Sequence, residues 1–174
     1  MSGADDFFDL FQRSAQRLET RASYGPDAEA FRAFQEGTPA PAGWLTQRRR
    51  WRERVAALVR QGRRVGRIFV VTTPLTPYWS WRTSAGSLTP GEEVSVVDRT
   101  EHAQVAQLDR DWWALDFETA DPSVLLLDYA PDGTYLGRRH MADPAVVAQC
   151  RAELDLAQRL AVPLADYLRP PGER

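Results

Sequence analysis

Apolar positions recur at helical spacing near both ends of the chain and crowd together at strand-like density between them. From Ala4 to Arg17, the residues Phe7, Phe8, Leu10, Phe11 and Ala15, with Leu18 just beyond, recur at intervals of three and four, which predicts an amphipathic helix. Pro26-Asp27 opens and Gly37 closes a second helix over Asp27–Glu36, with Ala30, Phe31 and Phe34 along one side. "TPAPAG" reads as a loop on its proline and glycine content. A third helix is predicted over Trp44–Gln61, ended by Gly62, with Trp44, Trp51, Val55, Leu58 and Val59 as its inward stripe.

The period then changes. "RVGRIFVVTT" is β-branched and apolar, and predicts a buried strand over Gly66–Thr72. Further strands are expected in "EEVSVVD", "DWWALDFE", "SVLLLDYA" and "GTYLGRRHM", the last two joined as a hairpin by Ala130-Pro131-Asp132-Gly133. Asp143 caps and Pro144 starts a closing helix whose stripe is Val146, Val147, Cys150, Leu154 and Ala157. Pro163 breaks it, and a short turn over Leu164–Leu168 follows. Helices, then strands, then a helix imply an α+β class with a mostly antiparallel sheet of about five strands. The expected organisation is a single globular domain over residues 1–174, with its core at about 7–168.

Composition narrows the setting. No apolar run nears the ~18 residues that span a bilayer, and "MSGADDFFDLFQ" is acidic, unlike a secretory leader. A single cysteine, Cys150, allows no internal disulfide, and the expected location is cytoplasmic, without membrane association. Every basic residue is arginine, as codon usage in a high-GC genome produces. Nine arginines and one acid lie between Thr46 and Arg67, yet the whole chain carries −2, so nucleic acid is not expected as a partner.

One aromatic stretch changes the picture. In "TPYWSWR", Thr76 and Pro77 form a cap and first turn, so a short helix puts Tyr78, Trp81 and Arg82 on one face, while a strand would align Trp79 with Trp81. A helix opening just after a strand offers N–H groups to an anion, with Arg82 as a forked donor. The same residues equally suit a core beside the sheet, with Arg82 reaching outward. In "RLETR", Arg17, Glu19 and Arg21 would point one way if extended, with Tyr24 just beyond, either clamping an oxyanion or forming a structural ion pair. The candidate ligand-binding set is therefore Arg17, Glu19, Arg21, Tyr24, Tyr78, Trp79, Trp81 and Arg82. Arg49, Arg50 and Arg54 form an exposed basic face on the third helix, suited to an acidic partner protein or to plain solvation.

Signatures of catalysis are lacking. His102, His140 and Cys150 have no metal-ligand spacing, Cys150 lies on an apolar stripe, and no nucleophile elbow, dinucleotide fingerprint, phosphate loop or calcium loop occurs. No metal or cofactor is expected, and no catalytic residue is assigned.

The segments "FDLFQRSAQRLETRASY", "RVGRIFVVTTPLTPYWSW", "GEEVSVVD", "DRDWWALDF", "DYAPDGTYLG" and "DPAVVAQCRAELDLAQRLAVPLADY", in this order, resemble a family of small single-domain proteins of high-GC bacteria, a domain of unknown function. The resemblance runs from about Phe7 to Tyr167. It implies genes beside helix-turn-helix regulators and small companion proteins, sometimes within specialised-metabolite clusters. "YWSWRTSAG" is more aromatic than that family's pattern. The expectation is an accessory or regulatory protein that binds a partner protein or an anionic or aromatic small molecule. The alternative is an enzyme of specialised metabolism with an aromatic and arginine-lined pocket.

Overall fold

The computed structural model describes residues 7–84 and 88–169. In chain order these form β1 (Ser14–Glu19), a 3-10 turn (Gly25–Asp27), α1 (Ala28–Glu36), α2 (Ala42–Arg60), β2 (Arg64–Val71), α3 (Pro77–Arg82), β3 (Glu93–Asp98), a second 3-10 turn (Ala103–Val105), β4 (Asp111–Leu115), β5 (Ser123–Tyr129), β6 (Tyr135–Met141), α4 (Pro144–Leu160), β7 (Val162–Pro163) and α5 (Leu164–Tyr167). The strands build one sheet in the order β6-β5-β4-β1-β2-β3-β7. β1, β2 and β3 are parallel, and the other neighbours are antiparallel.

The architecture is therefore mixed α/β. The expected mostly antiparallel, five-stranded sheet is corrected to seven strands in a mixed sheet. Parallel pairing needs crossovers, which α1 and α2 supply between β1 and β2, and α3 supplies between β2 and β3. Side chains alternate across each strand. Leu18, Ile68, Val70, Val97, Trp112 and Val124 meet Val147, Cys150, Leu154 and Ala157 of α4 on one face. The other face carries Phe7, Phe11, Val55, Leu58 and Trp113 at one end, and Tyr24, Phe69, Tyr78, Trp79 and Trp81 at the other.

The helix expected over Ala4–Arg17 is a second correction. Its residues Ala4–Asp6 lie outside the described residues, Phe7–Leu10 is a turn, and Ser14–Arg17 belongs to β1. Phe7, Phe8 and Phe11 are buried, as their spacing demands. The cause of the changed backbone is Asp116. Its carboxylate accepts the N–H groups of Gln12, Arg13 and Ser14 at 2.6, 2.7 and 2.9 Å. A helix would have spent those donors on its own carbonyls. Asp116 adopts a left-handed φ of 54°, a conformation that aspartate tolerates, and returns its own N–H to the Ser14 carbonyl.

Elements with local signals form as the sequence reads. Gly37 ends α1 at φ 66°, Thr76 Oγ1 accepts the Trp79 N–H at 3.2 Å, and Asp143 caps α4 through Ala145 and Val146. Val59, expected inward, is 40% exposed, because Val55 and Leu58 make the sheet contact while Val59 leans on the Gly91 turn. The β5–β6 hairpin folds back onto the segment after β1, where Gly25 N–H donates to the Gly133 carbonyl at 2.8 Å. A Cβ at Gly25 would stand 2.7 Å from that oxygen, so only glycine permits the contact. Among the described residues no helix is long and apolar enough to cross a membrane.

If Asp116 sets the amino-terminal backbone, Asp116→Ala should lower stability by about 2–3 kcal/mol, measured as a reduced urea midpoint. Asp116→Asn, which keeps an acceptor and tolerates the left-handed φ, should lose less; equal midpoints for all three proteins would contradict this role.

Candidate functional site

β1 places Arg17 and Glu19 on the same face, two residues apart. Its parallel register sets Arg17 directly opposite Arg67 of β2, a like-charge pair that would repel if left alone. Glu19 resolves the conflict. Its Oε1 accepts a short bond from Arg67, lies 3.5 Å from Arg17, and is 3.9 Å from Arg82 of α3. Only 1% of Glu19 is exposed, so these contacts act where water screens little.

Around this centre the charges alternate. Arg67 donates through Nε to Glu92 at 2.5 Å, and its guanidinium lies over the rings of Trp51 and Trp113 at 5.1 and 5.4 Å. Asp27 accepts from Tyr78 at 2.8 Å and from the Trp44 indole at 3.0 Å, with Arg82 Nε at 3.4 Å. On the far side Arg17 donates to the Tyr129 hydroxyl and covers the Tyr24 ring at 5.1 Å. Tyr24 donates a short bond to Asp111, the first residue of β4.

The network pushes its carboxyls in opposite directions. Burial would raise Glu19, but the guanidiniums of Arg17, Arg67 and Arg82 outweigh it and hold the group down at about 2. Burial wins at Asp111, which is raised despite Arg17 and the Tyr24 hydrogen bond. Toward solvent the balance is positive. Arg48, half-buried on α2, is lowered to about 10 by burial and by its neighbours Arg82 and Arg67. Arg52 donates to the Leu88 carbonyl at 3.2 Å beside it. Two buried donors nearby in sequence, the Trp51 indole N–H and the Thr89 hydroxyl, have no acceptor among the described residues.

The residues expected to bind a ligand are thus largely gathered. Arg17, Glu19 and Arg82 touch, and Tyr24 and Tyr78 bond to acids of the same network. Trp79 donates its indole N–H to the Arg21 carbonyl at 3.2 Å. Arg21 itself turns away to the hairpin, donating to the Ala130 carbonyl over the Tyr129 ring. Trp81 packs among Phe31, Trp44 and Tyr78. Two first-turn N–H groups of α3 are spent, since Trp79 donates to Thr76 Oγ1 and Ser80 to the Thr76 carbonyl. Tyr78, Trp79 and Trp81 are all buried, so they wall the core while their helix carries Arg82 to Glu19.

Arg49, Arg50 and Arg54 are exposed along α2, Arg54 resting on the Phe8 ring at 5.3 Å. His140 bonds Ser123 at 2.8 Å, and the buried Cys150 thiol is raised to about 11 by burial and then Glu153. Among the described residues no three His, Cys, Asp or Glu side chains gather as metal ligands would. Sequence reasoning missed Asp27, Arg48, Arg67, Glu92 and Asp111. A signal existed for Arg67, the one charge between apolar neighbours in "VGRIFVV".

Glu19 has a folded value of about 2 against an ordinary 4.5, so its contribution is complete above pH 4.5 and fades as pH falls toward 2. Asp111 has the opposite sign: its folded value is raised, and its contribution fades as pH rises. Chemical unfolding across the acid range should show Glu19→Gln flattening the loss of stability below pH 4.5 and Asp111→Asn steepening it. At neutral pH, Glu19→Gln should cost about 3–5 kcal/mol, because three guanidiniums lose their shared partner.

No curated protein matches this sequence. A family model described as a domain of unknown function, DUF6879, matches residues 2–169. Coverage of nearly the whole chain, including every strand and helix that carries the arginine–carboxylate network, makes this protein a member of the DUF6879 family.

Proposed function

We propose that the protein is an accessory or regulatory protein that holds a small organic anion at the mouth between α2 and α3. The observation carrying this reading is the gathering of Arg48, Arg52, Arg67 and Arg82 where burial and mutual repulsion already lower Arg48. A bound carboxylate or phosphate would relieve that repulsion by adding negative charge beside the guanidiniums. Trp44, beneath the Arg48 guanidinium at 5.6 Å, and the exposed Phe34, 6.3 Å from Trp81, offer flat surfaces to a planar group. The partner in this reading is a cytoplasmic helix-turn-helix regulator or small companion protein, met through Arg49, Arg50 and Arg54. The family resemblance to proteins of high-GC bacteria encoded beside such regulators supports that choice.

A second reading, an enzyme of specialised metabolism, draws on the opposed carboxyls. Glu19 ionised and Asp111 raised within one network, with Arg17 close to both, is the pattern that separates a base from an acid. Its mark would be turnover of a bound ligand that Asp111→Asn abolishes at unchanged affinity.

Thermal unfolding with benzoate, indole-3-acetate, adenosine monophosphate and inorganic phosphate tests the first reading. A planar anion at ~100 times its dissociation constant should stabilise by about 2.7 kcal/mol, and Arg48→Gln and Phe34→Ala should each erase most of that gain. Identical shifts in wild type and both variants, or none with any planar anion, would refute the placement.

A further inference from the structure

On the opposite face, α4 does not seal the sheet along its whole length. Beneath its carboxyl-terminal half the strands begin with small or polar residues, Ser14 and Gln16 in β1 and Gly66 in β2, with Ala114 in β4. Farther up the same strands Ile68, Val70 and Trp112 fill the space against the helix. The difference in side-chain size leaves a hollow of about 220 Å³. By comparison, an engineered cavity of about 150 Å³ holds benzene.

The lining has a pattern. Its apolar part is Ala15, Ala114, Phe117 and Leu154. Arg151, Leu154, Asp155 and Gln158 follow one another along α4 at spacings of three and four, so the helix offers the hollow a cation and an anion one turn apart. Arg151 is fixed in place: it donates to the Phe117 carbonyl at 2.7 Å, and its guanidinium lies 4.6 Å from the Phe117 ring centre. That bond uses one of its five N–H groups. Arg64 is committed to Glu118 at 3.0 Å, and Gln16 bridges to Gln158 at 3.2 Å. Glu93 and Asp155 line the same space with no hydrogen-bond or ion-pair partner among the described residues.

We infer that this hollow is a second binding site, distinct from the α2–α3 mouth, for a small zwitterion of the α-amino-acid type with a short apolar side chain. Its carboxylate goes to Arg151, its ammonium to Asp155 and Glu93, and its side chain to Phe117 and Leu154. A purely anionic or purely cationic molecule would meet one complementary charge and one repelling charge, which is how the site discriminates. Both charged helix residues stand on the helix surface rather than in the core, so the site can be dismantled without unfolding the protein.

Calorimetric titration of the full chain with the common α-amino acids tests the inference, with putrescine and succinate as single-sign controls. One or more of the small apolar amino acids should bind saturably while both controls fail. Asp155→Asn and Arg151→Gln should each weaken that binding at least about tenfold, a loss of about 1.4 kcal/mol, and Arg48→Gln should leave it unchanged. The inference is overturned if no α-amino acid binds at millimolar concentration, if putrescine or succinate binds equally well, or if binding survives both charge removals. Because Arg48→Gln dismantles only the other mouth, failure of one site is readily told from failure of the other.

Discussion

Two arginines face each other across neighbouring parallel strands, and the fold tolerates them because one carboxylate lies two residues farther along. Glu19 accepts from Arg67, faces Arg17 and draws in Arg82, so a single side chain ties β1 and β2 to the helix that follows β2. The arrangement is conditional in both directions. Without Glu19 three guanidiniums would be buried with no shared counter-charge, and without the guanidiniums an ionised carboxylate could not remain at 1% exposure. Buried ion pairs of this kind add little net stability compared with apolar packing, but they penalise any other alignment of the strands. A one-residue slip of β1 would send both charges into the apolar face under α4.

From that centre the network reaches α2, α3 and the segment before β3. Asp27 joins the indole of α2 to the tyrosine and arginine of α3, and Glu92 brings the segment before β3 to Arg67. Aromatic rings fill the gaps between the guanidinium planes, using the affinity of cations for ring faces to keep charged side chains inside an otherwise oily layer. The tryptophans and tyrosines around these guanidiniums are therefore insulation for buried charge as much as hydrophobic filling.

What could be read from the sequence divides along contact distance. Caps and turns rest on residues within four positions of each other, so Gly37, the Thr76–Pro77 pair, Asp143 and the proline-aspartate-glycine hairpin were all legible. β1 was not, because its start depends on a carboxylate about a hundred residues away that takes the N–H groups a helix would need. Phenylalanines at helical spacing served burial rather than helix. At the site, the residue types Arg17, Glu19 and Arg82 were recognisable, but their acids and bases from other strands were not. Parallel register brings Arg67 beside Arg17, and register is a property of two segments together. The solvent-facing charge of Arg48 was hidden by its similarity to the arginines around it.

The edges of the sheet show how a chain with so much strand avoids extending itself from one molecule to the next. β7 covers β3 with two residues, and the second, Pro163, has no N–H to offer an incoming strand. At the other margin a bulge interrupts the ladder opposite Asp128 and Tyr129, and Arg138 and Arg139 crowd the outermost strand with charge. Fibrous growth would have to begin from a ragged, cationic border on one side or from a proline on the other. Protection against edge-to-edge pairing is thus written into the margins of the sheet, leaving its interior residues at liberty to be as aromatic as the buried charges require.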